Sequence, residues 1–281
     1  MLCVMLCGWG IWEVPTQAGE LPVAISSLSM DTTSDSELEP MRRKPTLRVA
    51  GDVYCPYSGC LDKIRKGFMV DLVDAVYGTD YRIEYAFLPW SRAVRQTQEG
   101  QFNAILGIVK ITAPDLLYPK LPATVYRGCF FTKRHHPWTY QGIASLRSIK
   151  LLLVQDFGYG GNHPEFADYI AHNKNDKQRI LWIAGQDNLN VRLRMLVAGR
   201  VDAFAEDYNI VRYHLLQTGR LAEFKSAGCN ERVPGYIGFN RNIPDAQQHA
   251  NQWDTEITKL RASGKLARLL EPYGVGDWLN D

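Results

Sequence analysis

The chemistry this chain could perform is concentrated in carboxylates that stand where apolar runs end. Asp156 follows the run at 150–154, and Glu206 with Asp207 follows the run at 203–205. A carboxylate at a strand end can hold an ammonium group, cap the next helix or move a proton. Strand ends are also where open α/β sheets bind ligands. Unpaired carboxylates that close together repel, so either one points away or the guest brings positive charge. The expected guest is an amine-bearing or cationic small solute; an anionic sugar or phosphate is disfavoured. Asp207 precedes Tyr208-Asn209-Ile210, where it could equally cap a helix, and both roles can hold at once.

Beside Asp156 lies the loop Gly158-Tyr159-Gly160-Gly161, between a strand and a helix. Such a loop can offer backbone N–H groups to a carboxylate, with Gln155 next to it, or it can be a plain turn. It lacks the GxGxxG or GK[ST] pattern of a nucleotide loop. The 6 histidines form no base–nucleophile constellation with a serine or cysteine at motif spacing. His135 and His136 are adjacent and would point to opposite sides of a strand, and the cysteine spacings are not those of a zinc site. No catalytic residue, metal or cofactor is expected, and Glu206 is the one acid–base candidate should the chain be an enzyme.

The elements that must position these groups alternate. Strands are predicted at 46–50, 81–87, 104–107, 150–154, 180–183 and 203–205. Helices are predicted at 68–77, 91–99, 164–173, 189–197, 210–217, 246–263 and 266–270. One phrase occurs twice: Glu99-Gly100-Gln101-Phe102-Asn103-Ala104 and Ala198-Gly199-Arg200-Val201-Asp202-Ala203, each a helix end, a glycine stop and a strand start. Two copies of one unit imply two α/β lobes with a cleft between strand ends.

A chain of 281 residues, 46% hydrophobic, is long enough for two such cores, and a net charge of +2 points to no nucleic-acid partner. The apolar run at 2–12, followed by Thr16-Gln17-Ala18, reads as a signal peptide over 1–18, although no Lys or Arg precedes it. Residues 19–44 read as a disordered leader. Export leaves Cys55, Cys60, Cys129 and Cys229 in an oxidising compartment. The reading pairs Cys55 with Cys60 across a Pro-Tyr-Ser-Gly turn and Cys129 with Cys229, each beside an apolar strand; free or buried thiols are the alternative.

Over about residues 47–278 the chain resembles the family 3 extracellular solute-binding proteins, the polar amino acid type of ABC importers. The pieces that carry the resemblance are Asp52-Val53-Tyr54, Gly67-Phe68-Met69-Val70-Asp71-Leu72, Trp90, Gly100-Gln101-Phe102-Asn103, Gly107, Val154-Gln155-Asp156, the 198–203 phrase, Glu206-Asp207, Tyr236-Ile237-Gly238-Phe239 and Leu260 through Leu266. The resemblance implies a periplasmic-binding-protein-like type II α/β fold, two α/β lobes joined by a two-strand hinge. Lobe 1 would comprise 45–128 plus 236–281, and lobe 2 would comprise 129–235. It implies a monomer in the periplasm that captures a small-molecule solute and presents it to an ABC transporter permease in the inner membrane, with no catalytic step. A receptor-linked sensing module and, less favoured, a dehydratase-type enzyme use the same scaffold.

Carried over position by position, Asp207 matches the acid that accepts the ligand ammonium, and Tyr54 and Trp90 match the aromatic walls. The chain departs from the family after Gly107. Where amino-acid binders carry Thr-Pro-Glu-Arg, this chain reads Ile111-Thr112-Ala113-Pro114-Asp115, so the usual carboxylate-gripping arginine is missing. Lys110 and Arg92 are the candidate substitutes, with a solvated surface cation as the alternative for each. The expected ligand-binding set is Asp52, Tyr54, Trp90, Arg92, Gly107, Lys110, Gln155, Asp156, Gly158, Tyr159, Glu206 and Asp207.

Overall fold

The computed structural model describes residues 44–60, 65–155, 159, 163–184 and 189–279. The signal and leader expectations, apart from Lys44, and Asp156 and Gly158 fall outside them. The chain runs β1 (Thr46–Gly51), α1 (Phe68–Tyr77), β2 (Arg82–Phe87), α2 (Trp90–Gln98), β3 (Ala104–Ile108) and β4 (Thr124–Lys133). It continues with β5 (Leu151–Val154), α3 (Pro164–Asn173), β6 (Ile180–Ile183), α4 (Leu189–Val197), β7 (Ala203–Asp207) and α5 (Tyr208–Gln217). The last elements are β8 (Phe224–Phe239), α6 (Ala246–Ala262) and α7 (Lys265–Leu270). A 3-10 turn at Ile143–Ser148, which periodicity did not mark, leads into β5.

Strand order across the sheet is β2-β1-β3-β8-β4-β7-β5-β6. In the first half β1 sits between β2 and β3, all parallel, and in the second half β5 sits between β6 and β7, again parallel. Each parallel trio is flanked by one antiparallel long strand, β8 beside β3 and β4 beside β7. The two long strands pair with each other from Thr124 opposite Gly235 to Lys133 opposite Phe224. They are the two-strand link of a two-lobed α/β fold.

Apolar side chains collect on both faces of each half. In the first half α1 and α6 pack Phe68, Leu72, Trp253 and Ile257 on one face, while Ala93 and Phe102 cover Ile105 and Ile108 on the other. In the second half α4 and α5 bury Leu193, Leu196, Val211 and Leu215 against Leu152 and Phe204, and Phe166 of α3 covers Leu151 and Leu153 on the opposite face. A β-strand covered on both sides must be apolar at nearly every position, which is why β3 and β5 read as unbroken apolar runs.

The repeated phrase builds one local structure twice. Gly100 and Gly199 turn at φ +81° and +66°, a region that a side chain disfavours. The Gln101 N–H then donates to the Gln96 carbonyl at 2.9 Å and the Arg200 N–H to the Met195 carbonyl at 3.0 Å, closing α2 and α4 alike. Next, the Asn103 side-chain oxygen accepts the Arg48 N–H at 2.7 Å, and the Asp202 carboxylate accepts the Lys150 N–H at 2.8 Å. The backbone N–H groups of Asn103 and Asp202 donate back to Arg48 and Lys150, at 2.8 and 2.9 Å. The polar residue therefore clamps each returning strand to the central strand of its half.

Both pairs of cysteines are joined, Cys55 to Cys60 and Cys129 to Cys229. The second pair links register partners on β4 and β8, so it staples the two linking strands.

Candidate functional site

The ends of β1, β3 and β7 and the faces of β4 and β8 enclose a cavity of about 770 Å³. Asp52, Tyr54, Trp90 and Gly107 line it from the first half. Tyr159, His163, Phe166, Glu206 and Asp207 line it from the second, and Tyr126 and Asn230 come from the linking strands. Its size is that of small-molecule pockets, about 300–1,000 Å³.

Glu206 and Asp207 point to different sides of β7 because side chains alternate along a strand. Glu206 shares a face with Phe204 and meets α4, where the fully buried Arg192 donates to it at 2.6 Å. Arg192 also donates to the Ala205 carbonyl at 3.1 Å, and its guanidinium lies over the Phe204 ring. The other Glu206 oxygen accepts the Asp207 N–H at 2.7 Å. Burial raises the Glu206 pKa above its ordinary value, against the lowering effect of Arg192.

Asp207 is the N-cap of α5, accepting the N–H groups of Asn209 and Ile210 at 2.9 and 3.2 Å. The same oxygen accepts the Tyr57 hydroxyl at 2.7 Å, while the second oxygen accepts the Arg127 N–H at 3.0 Å. Asn209 closes the group by donating its side-chain amide to the Tyr57 hydroxyl at 3.0 Å. Tyr57 belongs to the first half, so this network joins the two halves. Among the described residues Asp207 has no cationic hydrogen-bond partner, and burial raises its pKa despite the donors. Burial and the Asp207 charge likewise push the Tyr57 hydroxyl far up, which keeps it a donor.

The opposite wall is aromatic. Tyr54 stacks on Tyr57 with ring centroids 5.4 Å apart, and Tyr126 packs against both. Tyr126 donates to the Gly107 carbonyl at 2.7 Å. Gly107 adopts φ +73°, and a Cβ there would strike the Tyr126 hydroxyl and Met69, so glycine is required by both conformation and space. Trp90 lines the cavity while also packing on the core beneath α2, so the core and cleft readings of this residue are both met. Asp52 presents a carboxylate that takes no hydrogen bond from any other described residue, and burial raises its pKa.

Three expected contacts lie elsewhere. Arg92 follows Trp90 by two residues on α2, about 200° round the helix, and is exposed rather than facing the cleft. Lys110 is exposed, its amine held over the Tyr236 and Tyr118 rings at 4.2 and 5.7 Å. Gln155 is exposed where β5 ends, its N–H bonded to the Ile183 carbonyl. No Lys or Arg lines the cavity among the described residues. Of the glycine loop, Tyr159 is placed, its hydroxyl accepting the Val154 N–H at 3.2 Å.

Sequence reasoning missed Arg192, Tyr57, Tyr126 and Asn209. A signal for Arg192 was available: Leu189, Arg192, Leu193 and Leu196 share the buried stripe of α4, and a cation on a stripe of that kind implies a buried anion. Tyr57 and Tyr126 carried no such mark, because their contacts join residues far apart in the chain.

No protein-family model matches this chain, and a search of curated proteins finds no match. Solved structures share its fold. One is described as the probable amino-acid ABC transporter extracellular-binding protein ytmK from Bacillus subtilis, 15% identical, with a TM-score of 0.62 over 82% of this chain and 98% of that one. An ancestral arginine-binding protein bound to arginine is 16% identical, with a TM-score of 0.57 over 82% and 98%. A histidine kinase sensor domain similar to periplasmic binding proteins is 21% identical, with a TM-score of 0.57 over 82% and 96%. These likenesses define a periplasmic-binding-protein-like fold of two α/β lobes. Among the described residues no helix is long and apolar enough to cross a membrane.

Proposed function

We propose that this protein is an extracytoplasmic solute-binding protein that captures a small amine-bearing solute between its lobes and presents it to an ABC importer. The observation that carries the reading is electrostatic. Asp52, Glu206 and Asp207 line one cavity, Arg192 neutralises one of them, and among the described residues no lining cation balances the others. Withdrawing carboxylates from water is costly unless a counter-charge arrives, so an ammonium or guanidinium guest offsets what burial costs. Tyr54 and Trp90 add aromatic faces on which a cation is attracted. The absent carboxylate-gripping arginine favours guests whose recognition rests on the amine end. The likeness to an arginine-bound protein and to an amino-acid transporter binding protein agrees with this class.

In this reading lobe 1 comprises 45–128 with 236–281 and lobe 2 comprises 129–235, the protein is a periplasmic monomer, and it performs no chemistry on its guest. Ligand contacts from both sides of the cleft would favour the closed state in proportion to their differential affinity. The test is thermal-shift and calorimetric screening of arginine, lysine, putrescine and agmatine, with glutamate as the anionic contrast. Asp207→Asn should weaken an amine hit by about ten- to a hundredfold, the worth of one charge-assisted hydrogen bond. Saturable binding of glutamate alone, or an amine affinity indifferent to Asp207→Asn, overturns it.

A sensory module is the second reading, favoured by the likeness to a kinase sensor domain. Retention of the liganded protein by a membrane receptor rather than by an importer would decide for it.

A further inference from the structure

The reverse face of the linking ribbon holds a second cavity, of about 350 Å³, with the opposite electrostatic character. Arg127 on β4 and Arg232 on β8 are direct register partners and both line it. Arg212 of α5 brings a third cation, and no Asp or Glu lines this cavity among the described residues.

The donors here are prepared but only partly used. The Arg127 guanidinium lies 4.2 Å from the Tyr208 ring and forms neither a hydrogen bond nor a salt bridge with any described residue. Arg212 uses its Nε on the Gly274 carbonyl at 2.9 Å, which leaves its terminal nitrogens for another partner. Thr124 lines the same cavity with a fully buried hydroxyl that has no hydrogen-bond partner.

We propose that this cavity is an anion site for a small molecule bearing a carboxylate or phosphate group. Guanidinium forks match the planar and tetrahedral oxygens of those groups. The inference is independent of what the larger cavity binds. The two sites nevertheless share Arg127: its backbone N–H holds Asp207 on the cleft side, while its side chain faces the reverse. The anion cavity is walled by β4, β8, α5 and the segment 274–278, so its occupant would tie the linking strands to the C-terminal segment. Binding at either site would then alter affinity at the other, by the same factor in both directions.

The test uses the full chain with inorganic phosphate and with citrate, against sodium chloride at matched ionic strength, read by thermal shift and calorimetry. Saturable binding of one molecule per chain is expected from phosphate, from citrate or from both, and which one responds names the oxyanion. Arg127→Gln with Arg212→Gln should abolish the response. Arg127→Lys keeps the charge but loses the fork, and should weaken binding by about tenfold if the double variant does not fold. A response equal to that of chloride, or one unchanged in Arg127→Lys, overturns the proposal.

Discussion

β3 and β7 occupy equivalent places in the two halves, each preceded by the same helix, glycine turn and backbone clamp, yet they deliver opposite chemistry to the cleft. β3 brings Gly107, a position with no side chain whose carbonyl is held by Tyr126. β7 brings Glu206 and Asp207, each tied to specific donors. The difference teaches that the fold duplicates positions and leaves charge to the individual residue. One half presents a backbone and aromatic wall, joined by the single carboxylate of Asp52, and the other a doubly acidic one.

The sharpest way to break that contrast is at Arg192. Arg192→Leu leaves Glu206 buried without a counter-charge and should cost about 3–5 kcal/mol of stability, seen as a lower denaturant midpoint. Arg192→Leu combined with Glu206→Gln should recover most of the loss. Equal stabilities in the single and double variants would show that the ion pair is not what holds the acidic wall.

Next in size is the staple shared by both halves. Replacing Cys129 and Cys229 with serine opens a link of sequence separation 100 and should cost about 2–4 kcal/mol, measured by reversible denaturation without reductant. A variant as stable as the parent would mean that the paired strands alone set the relation of the halves.

A smaller effect is expected from pH, because burial lifts the Asp207 pKa above its ordinary 3.8. The folded protein then holds a proton that the unfolded chain has released, over a window that starts near 3.8 and extends upward. Stability from this group is fully present below that window and is lost as pH rises through the folded value. The stability of the parent relative to Asp207→Asn should therefore fall with rising pH across the window. An amine guest, which needs the ionised form, should bind less well as pH falls through it. A flat difference curve would place the Asp207 carboxyl in a less costly environment than its burial implies.

The smallest expected effects are at Arg92 and Lys110. Arg92→Ala and Lys110→Ala lie off the cavity and should change amine binding by less than about 0.5 kcal/mol in calorimetry. A larger loss at Lys110 would bring it back to the cleft and give the first half a cation of its own.

The sequence by itself determined the alternation of strands and helices, the duplicated unit and its glycine turns. These follow from local periodicity and from backbone conformations that few residues adopt. Apolar runs marked β3, β5 and the start of β7 as strands, and the two cysteine pairs lay where the structure joins them. Only the tertiary structure decided which charges meet. It paired Glu206 with Arg192 and bonded Tyr57 to Asp207 across 150 positions of sequence. It also turned Arg92 and Lys110 away from the cleft, and it set Arg127 opposite Arg232 on the reverse face. Electrostatic partners are selected by distance through space, and the order of residues along a chain records only distance along the backbone.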